Sequence, residues 1–304
     1  MTQRRKRVGY ALGGGGARGL SHIGVLKVLE EHGVHPDVIA GTSIVALVGV
    51  LYAGGLRAAE IEQEALRVSW RRMALLVDPT LPLYGLVQGK RVTSLLKSIL
   101  GDLSFPDLKL QFASVATDIE SGEQVVLASG SVLDAVRASI SVPGILTPVR
   151  VGGRYLVDGG LVNEVPVSVC QQMGAEYVIG VNVIPNPSGM LERPWSERHW
   201  ARRKKANAAS AQLQERRSKA SQQRRPSLVK ILSQSLIIPG HRIAMENLSA
   251  ADLAISPAVG GIGFFDFDRA AEAIAAGEEA ARHALGQGRV PAAFAEMRGS
   301  PGDC

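Results

Sequence analysis

The sequence predicts an α/β fold, with a central, mostly parallel sheet and helices on both of its faces. Three observations carry this. Short apolar runs recur along the chain, and most are followed by a segment with helical apolar spacing. Glycine-rich turns follow apolar runs at 13–19, around Gly41 and at 159–160. Composition is the third: 46% of residues are hydrophobic but only 5% aromatic, and 34 are glycine, which suits closely packed helix–sheet layers. At 304 residues the chain can bury a substantial core.

In chain order, RVGYAL (7–12) reads as a first buried strand leading into GGGGARG. LSHIGVLKVLEEHG (20–33) is a helix with Ile23, Val25, Leu26, Val28 and Leu29 at its apolar positions and Gly33 as C-cap. DVIAG (37–41) is a second strand, and a helix opens after Ser43 and ends near AGG. A helix is predicted over 58–76, with Ile61, Leu66, Trp70 and Met73 on one broad face, then a loop over 78–89 and a helix over 90–101. LQFASVATD (110–118) is a strand, with GEQVVLASG (122–130) as its hairpin partner. Residues 131–140 are helical and 141–149 form a Pro/Gly loop. GGRYLVDGG (152–160) is a strand running into a tight turn, VPVSVCQQMG (165–174) a helix with Pro near its start, and AEYVIGVNV (175–183) a strand. A strand at 251–257 and a helix at 268–285 close the order.

Residues 186–227 interrupt it. The formal charge of +6 is concentrated here: residues 191–230 hold 12 Lys/Arg against Glu192, Glu197 and Glu215. The basic character belongs to an insert, not to the fold, so no nucleic-acid partner is expected. The insert reads either as a solvated linker or as a basic patch for a membrane or partner. Cys170 and Cys304 form no disulfide framework and have no metal-ligand spacing, so a reducing, cytoplasmic compartment is expected. The basic N-terminal tail, 1–6, is not followed by a signal-peptide core, and the apolar segment 44–56 is shorter than the roughly 20 residues of a membrane span.

Three features can carry chemistry. The turn Gly13–Gly19 presents clustered backbone N–H groups at a positive helix end, a place for an anion. Gly14, Gly15, Gly16, Ala17, Arg18 and Gly19 also fit G-x-G-x-x-G, so the anion is a dinucleotide pyrophosphate or the oxyanion of acyl transfer. A dinucleotide site wants an acid at the end of the second strand, where this chain has Gly41-Thr42-Ser43, which favours the oxyanion. Ser43 is the second feature: a helix cap when taken alone, a nucleophile when set beside that loop. The amide of Ile44 is a further oxyanion donor in the second case. Asp158, before Gly159 and Gly160, is either an Asx-turn residue or a general base for Ser43. No histidine sits in a comparable context, so a Ser–Asp dyad fits better than a Ser-His-Asp triad.

Together GGGGARGLSHIGVLKVLEEHG, GTSIVALVGVLYAGG, ATDIESGEQVVLASG, VRASISVPGILTPV, VDGGLVNEVPV and the C-terminal ADLAISPAVGGIGFFDFDRAAEAIAAGEEAAR resemble, in this order, the patatin-like phospholipases of bacteria. The resemblance covers about residues 7–285 apart from the insert, and leaves 286–304 as a tail. It implies a three-layer patatin-like fold and a hydrolase acting on acyl esters of lipids such as phospholipids or lysophospholipids. It makes Ser43 the nucleophile, Asp158 the base and Gly14–Gly19 the oxyanion hole, with Gly15 and Gly16 as first donors and Arg18 ordering the loop. It implies no cofactor, metal or calcium. Acyl chain length, head group and oligomeric state stay open.

One position departs from the family pattern. The elbow glycine is replaced by Val45, and a stiff β-branched side chain there is expected to force the elbow apart and displace Ser43. The alternative reading is therefore a degenerate member that binds lipid or membrane with little turnover. Substrate logic adds peripheral contact with anionic lipid at the inner face of the membrane, through RRKR and the insert. Residues 70–86 read either as a cover for the site or as core helix and loop.

Overall fold

The computed structural model describes residues 5–67, 76, 78, 87–187 and 228–286, the last segment with side chains from residue 234. Eight strands form one sheet: β1 (Val8–Leu12), β2 (Val38–Thr42), β3 (Gln111–Asp118), β4 (Gln124–Leu127), β5 (Val149–Val151), β6 (Arg154–Asp158), β7 (Tyr177–Val181) and β8 (Leu253–Ile255). Strands β3, β2, β1, β7 and β8 run parallel in that order. β6 and β4 pair antiparallel with β3, and β5 pairs antiparallel with β6. The sheet is thus mixed, a parallel centre with one antiparallel end.

That end positions the site. β2 pairs with β3 up to Thr42 opposite Val115, and β6 pairs with β3 from Asp158 opposite Ala116. The C-terminal ends of β2 and β6 therefore meet at adjacent positions of one strand. This is how residues 115 apart in sequence come together.

Helices cover both faces. Val8, Tyr10 and Leu12 of β1 pack with α1 (Ser21–Glu31), α2 (Ile44–Ala53), α3 (Ala58–Leu66) and the closing helix, α8 (Ala270–Gly286). Ala11 of β1 faces the other side, packing with α6 (Val167–Gln172) and α7 (Leu228–Ser249). The alternation is the period of two expected of a strand buried on both faces. α2 (IVALVGVLYA) is apolar all round because nearly all of it is buried, with Val45, Ala46, Val48, Val50 and Ala53 inside and Ile44 and Leu47 partly buried. Two further helices, α4 (Lys90–Leu100) and α5 (Val132–Ser139), lie in the expected places. Gly24 of α1 lies against the Ile274 carbonyl, and Gly277 of α8 against that of Ser21. A side chain at either would hold these two helices apart.

Several expectations change. The helix expected over 58–76 is described only to Leu66, which is half exposed; Trp70 and Met73 lie outside the described residues. So do most of 70–86 and most of the insert. The loop expected over 141–149 ends in β5. α7 fills a segment for which the sequence predicts no element, and it continues through Pro239. Among the described residues, no helix is long and apolar enough to cross a membrane.

Candidate active site

Ser43 sits between β2 and α2 at φ 60°, ψ −144°, and is the one non-glycine with positive φ among the described residues. Such a conformation costs about 1–3 kcal/mol and persists only where neighbours over-determine it. At this elbow they do. A Cβ on Gly41 would stand 2.9 Å from Ala46 Cα, so the helix folds back closely on the strand. The Ser43 amide donates to Ser139 Oγ (2.9 Å), and the Ser139 hydroxyl donates to the Val115 carbonyl (2.6 Å). The Ser43 carbonyl accepts the Ala46 amide (2.9 Å).

Ser43 occupies the N-cap position of α2, yet its side chain makes no capping bond. Its hydroxyl instead donates to Asp158 Oδ2 at 2.6 Å. The polar-cap reading of Ser43 is therefore set aside. Asp158 Oδ1 accepts the Gly160 amide (2.8 Å), so this residue both closes an Asx-turn and faces the serine. Burial pushes the Asp158 carboxyl up to about 6, against the opposing effect of its bonds from Ser43 and Gly160.

The glycine loop commits some of its amides to the fold and leaves others unpaired. Gly13 donates to the Val181 carbonyl (3.0 Å), Gly14 to that of Glu164 (3.1 Å) and Ala17 to that of Phe264 (2.9 Å). The amides of Gly15, Gly16 and Ile44 have no protein acceptor among the described residues. A Cβ on Gly15, whose φ is 154°, would stand 2.6 Å from Val183 Cγ2, so the loop demands glycine there. Arg18 is 1% exposed and donates through Nε to the Ile262 carbonyl (2.7 Å), which ties the loop to the segment before α8. It is not a surface residue.

Val45 does not displace the serine. It is fully buried, and its Cγ2 lies 2.6 Å from where a Cβ on Gly19 would stand. The absent side chain at this contact belongs to Gly19, across from the elbow. The space that an elbow glycine would leave comes instead from the glycine-rich loop, and the Ser43–Asp158 bond stays intact.

His22 is buried, hydrogen-bonded through Nδ1 to the Gly19 carbonyl (2.9 Å), and pushed down to about 4 by burial. It is a neutral packing residue. A pocket of about 120 Å³ opens over Ser43 and Asp158, walled mainly by apolar side chains, among them Val142, Leu161, Ile237 and Phe264. A larger hollow, about 330 Å³, lies between β8 and α8, lined by none of these residues. Sequence reasoning missed Ser139, Glu164 and the α7 residues of the wall. The first serine of ASISVPG and the Glu in VNEVP were the available signals, and neither marks a site by residue type alone.

Fold and site together define a class of protein: an α/β chain whose serine, at a strained strand-to-helix elbow, faces a buried carboxyl under a glycine-rich turn. The patatin-like phospholipase family model matches residues 10–170, and the chain belongs to that family. An uncharacterised NTE family protein of Mycobacterium tuberculosis is 35% identical over 183 residues, covering 60% of this chain and 51% of the relative. Another NTE family protein, of Mycobacterium bovis, is 33% identical over 295 residues, covering 92% and 46%. A protein of Debaryomyces hansenii named lysophospholipase NTE1 is 38% identical over 181 residues, covering 58% and 12%. The chain thus spans about half the length of the mycobacterial relatives and far less of the yeast one.

Proposed function

We propose that this protein is a serine hydrolase of lipid acyl esters, phospholipid or lysophospholipid, with Ser43 as nucleophile and Asp158 as general base. The single observation that carries the reading is the 2.6 Å bond from Ser43 Oγ to Asp158 Oδ2 inside an apolar pocket. Kinship to a named lysophospholipase supports the substrate class.

In this reading Asp158 takes the hydroxyl proton as Ser43 Oγ bonds to the ester carbonyl carbon. The amides of Gly15 and Gly16, with Ile44 beside the nucleophile, receive the oxyanion; one such donor is commonly worth about 10²–10³ in rate. The ester C–O bond breaks and the alcohol leaves with the proton from Asp158. Water then repeats the sequence on the acyl-enzyme and releases the fatty acid. Phe265 and Ile238 are 59% and 47% exposed beside the pocket-lining Phe264 and Ile237, an apolar rim suited to a lipid aggregate. Peripheral contact with anionic membrane remains part of the proposal.

The test is fatty-acid release from lysophosphatidylcholine micelles by the wild-type chain and by Ser43→Ala. Turnover that disappears in the variant supports the reading. Equal release by both contradicts it. Turnover by neither favours the lipid-binding alternative.

A further inference from the structure

Resting on that reading, we infer that Glu164 is a second acid of the site, which touches the substrate as a neutral hydrogen-bond donor to the alcohol-side oxygen of the scissile ester. Its carboxyl lies between the two halves of the catalytic geometry. A Cβ on Gly14 would stand 2.6 Å from Glu164 Oε1 and 3.1 Å from Ser43 Cβ. A Cβ on Gly160 would meet Glu164 Oε2 and stand 3.2 Å from Asp158 Oδ1. Two glycines, one from each turn, therefore make the slot this carboxyl fills.

The residue is rigidly held but its acid group is uncommitted. The Glu164 carbonyl accepts the Gly14 amide, Thr42 Oγ1 donates to the Asn163 carbonyl (2.9 Å), and the Val165 amide donates to Asn247 Oδ1 (3.3 Å). Among the described residues the carboxyl makes no hydrogen bond, although the residue is 6% exposed and lines the same pocket as Ser43 and Asp158. A buried acid without a protein partner is expected to meet one in its ligand. The other polar groups are already assigned. Asp158 uses Oδ2 for Ser43 and Oδ1 for Gly160, and the Gly15 and Gly16 amides suit the carbonyl oxygen. The alcohol-side oxygen is the ester acceptor left for Glu164.

Burial and the neighbouring Asp158 favour its neutral form. The group opposing its ionisation is Asp158, from the turn after β6; Arg18 of the glycine loop lines the same pocket, and α7 contributes Gly240 with His241 next in sequence. Burial, then the Asp158 charge, holds the Glu164 carboxyl well above the usual carboxylate range. The two acids are thus driven to different roles, Asp158 ionised as base and Glu164 protonated as donor. Glu164 keeps its proton throughout; the proton given to the alcohol is the one Asp158 received.

The test compares wild type, Glu164→Gln and Glu164→Leu by two readouts across pH: fatty-acid release from lysophosphatidylcholine, and labelling by a fluorophosphonate. The probe expels fluoride and has no alcohol oxygen at the leaving position. For Glu164→Leu, hydrolysis is expected to fall about tenfold or more, while labelling falls no more than about threefold. Glu164→Gln, which keeps an N–H donor, recovers part of the hydrolysis. Parallel loss of both readouts in Glu164→Leu means a structural role and overturns the inference. So does a Glu164→Gln variant that hydrolyses no faster than Glu164→Leu. A wild-type chain that neither labels nor hydrolyses overturns the hydrolase reading itself, and this inference with it.

Discussion

The turn after β2 and the turn after β6 meet at adjacent positions on β3, yet they carry their cost in different forms. At the first, the cost is backbone strain: Ser43 is held at φ 60° by close packing and by the Ser139 hydroxyl. At the second the backbone is ordinary, with Asp158 at φ −52°, ψ 135°, and the cost is electrostatic. Two carboxyls, Asp158 and Glu164, are buried there. Ser43 is thus fixed by geometry and Asp158 is tuned by its surroundings. Substitutions at the two turns should separate these effects.

The largest effect is expected at the strained turn. Ser43→Ala should lower ester turnover by more than about 10⁴-fold, read by steady-state fatty-acid release. Ser43→Gly should be equally inactive but more stable than Ser43→Ala by about 1–3 kcal/mol in urea denaturation, because only glycine relieves the strain. Equal stabilities would remove strain from the comparison.

Asp158→Asn should lower turnover by about 10²–10⁴-fold and also change the pH dependence of stability. The fold raises this carboxyl from 3.8 to about 6, so the folded chain binds the proton more tightly than the unfolded one. Its contribution to stability is fully present below about pH 4 and is lost as pH rises through about 6. Asn has no charge to bury. The variant should gain on wild type between pH 4 and 6.5, by up to about 3 kcal/mol, and hold that gain above. Thermal denaturation across pH reads it. Wild-type activity, which needs the ionised base, should rise over the same window.

Next in size is the contact between Gly19 and Val45. Gly19→Ala should destabilise by about 1–3 kcal/mol, since the new Cβ would stand 2.6 Å from Val45 Cγ2, and Val45→Ala in the same chain should restore most of the loss. Val45→Gly alone should cost about 2–4 kcal/mol through a cavity and a helix glycine, with no gain in activity. The smallest effect is expected for Ser139→Ala, about 1 kcal/mol of stability and roughly tenfold in turnover, as the Ser43 amide loses its acceptor.

Much of this was legible in the chain. Five parallel strands, most of the helices, and the pairing of Ser43 with Asp158 followed from apolar runs, glycine turns and family motifs. The rest depended on contacts distant in sequence. Val45 looked disruptive because the compensating absence of a side chain lies at Gly19, in another motif. Glu164 is by sequence an ordinary acid in VNEVP, and its place in the site depends on Gly14, Gly160 and α7. α7 itself was hidden by Pro239-Gly240, where packing maintains a helix that local propensity would break.

The central claim, an activated Ser43 in a site that tolerates Val45, is tested most directly by intact-mass fluorophosphonate labelling of wild type, Ser43→Ala and Val45→Gly. The account predicts one adduct on wild type, none on Ser43→Ala, and no faster labelling of Val45→Gly. A wild-type chain that stays unlabelled while Val45→Gly reacts would contradict it.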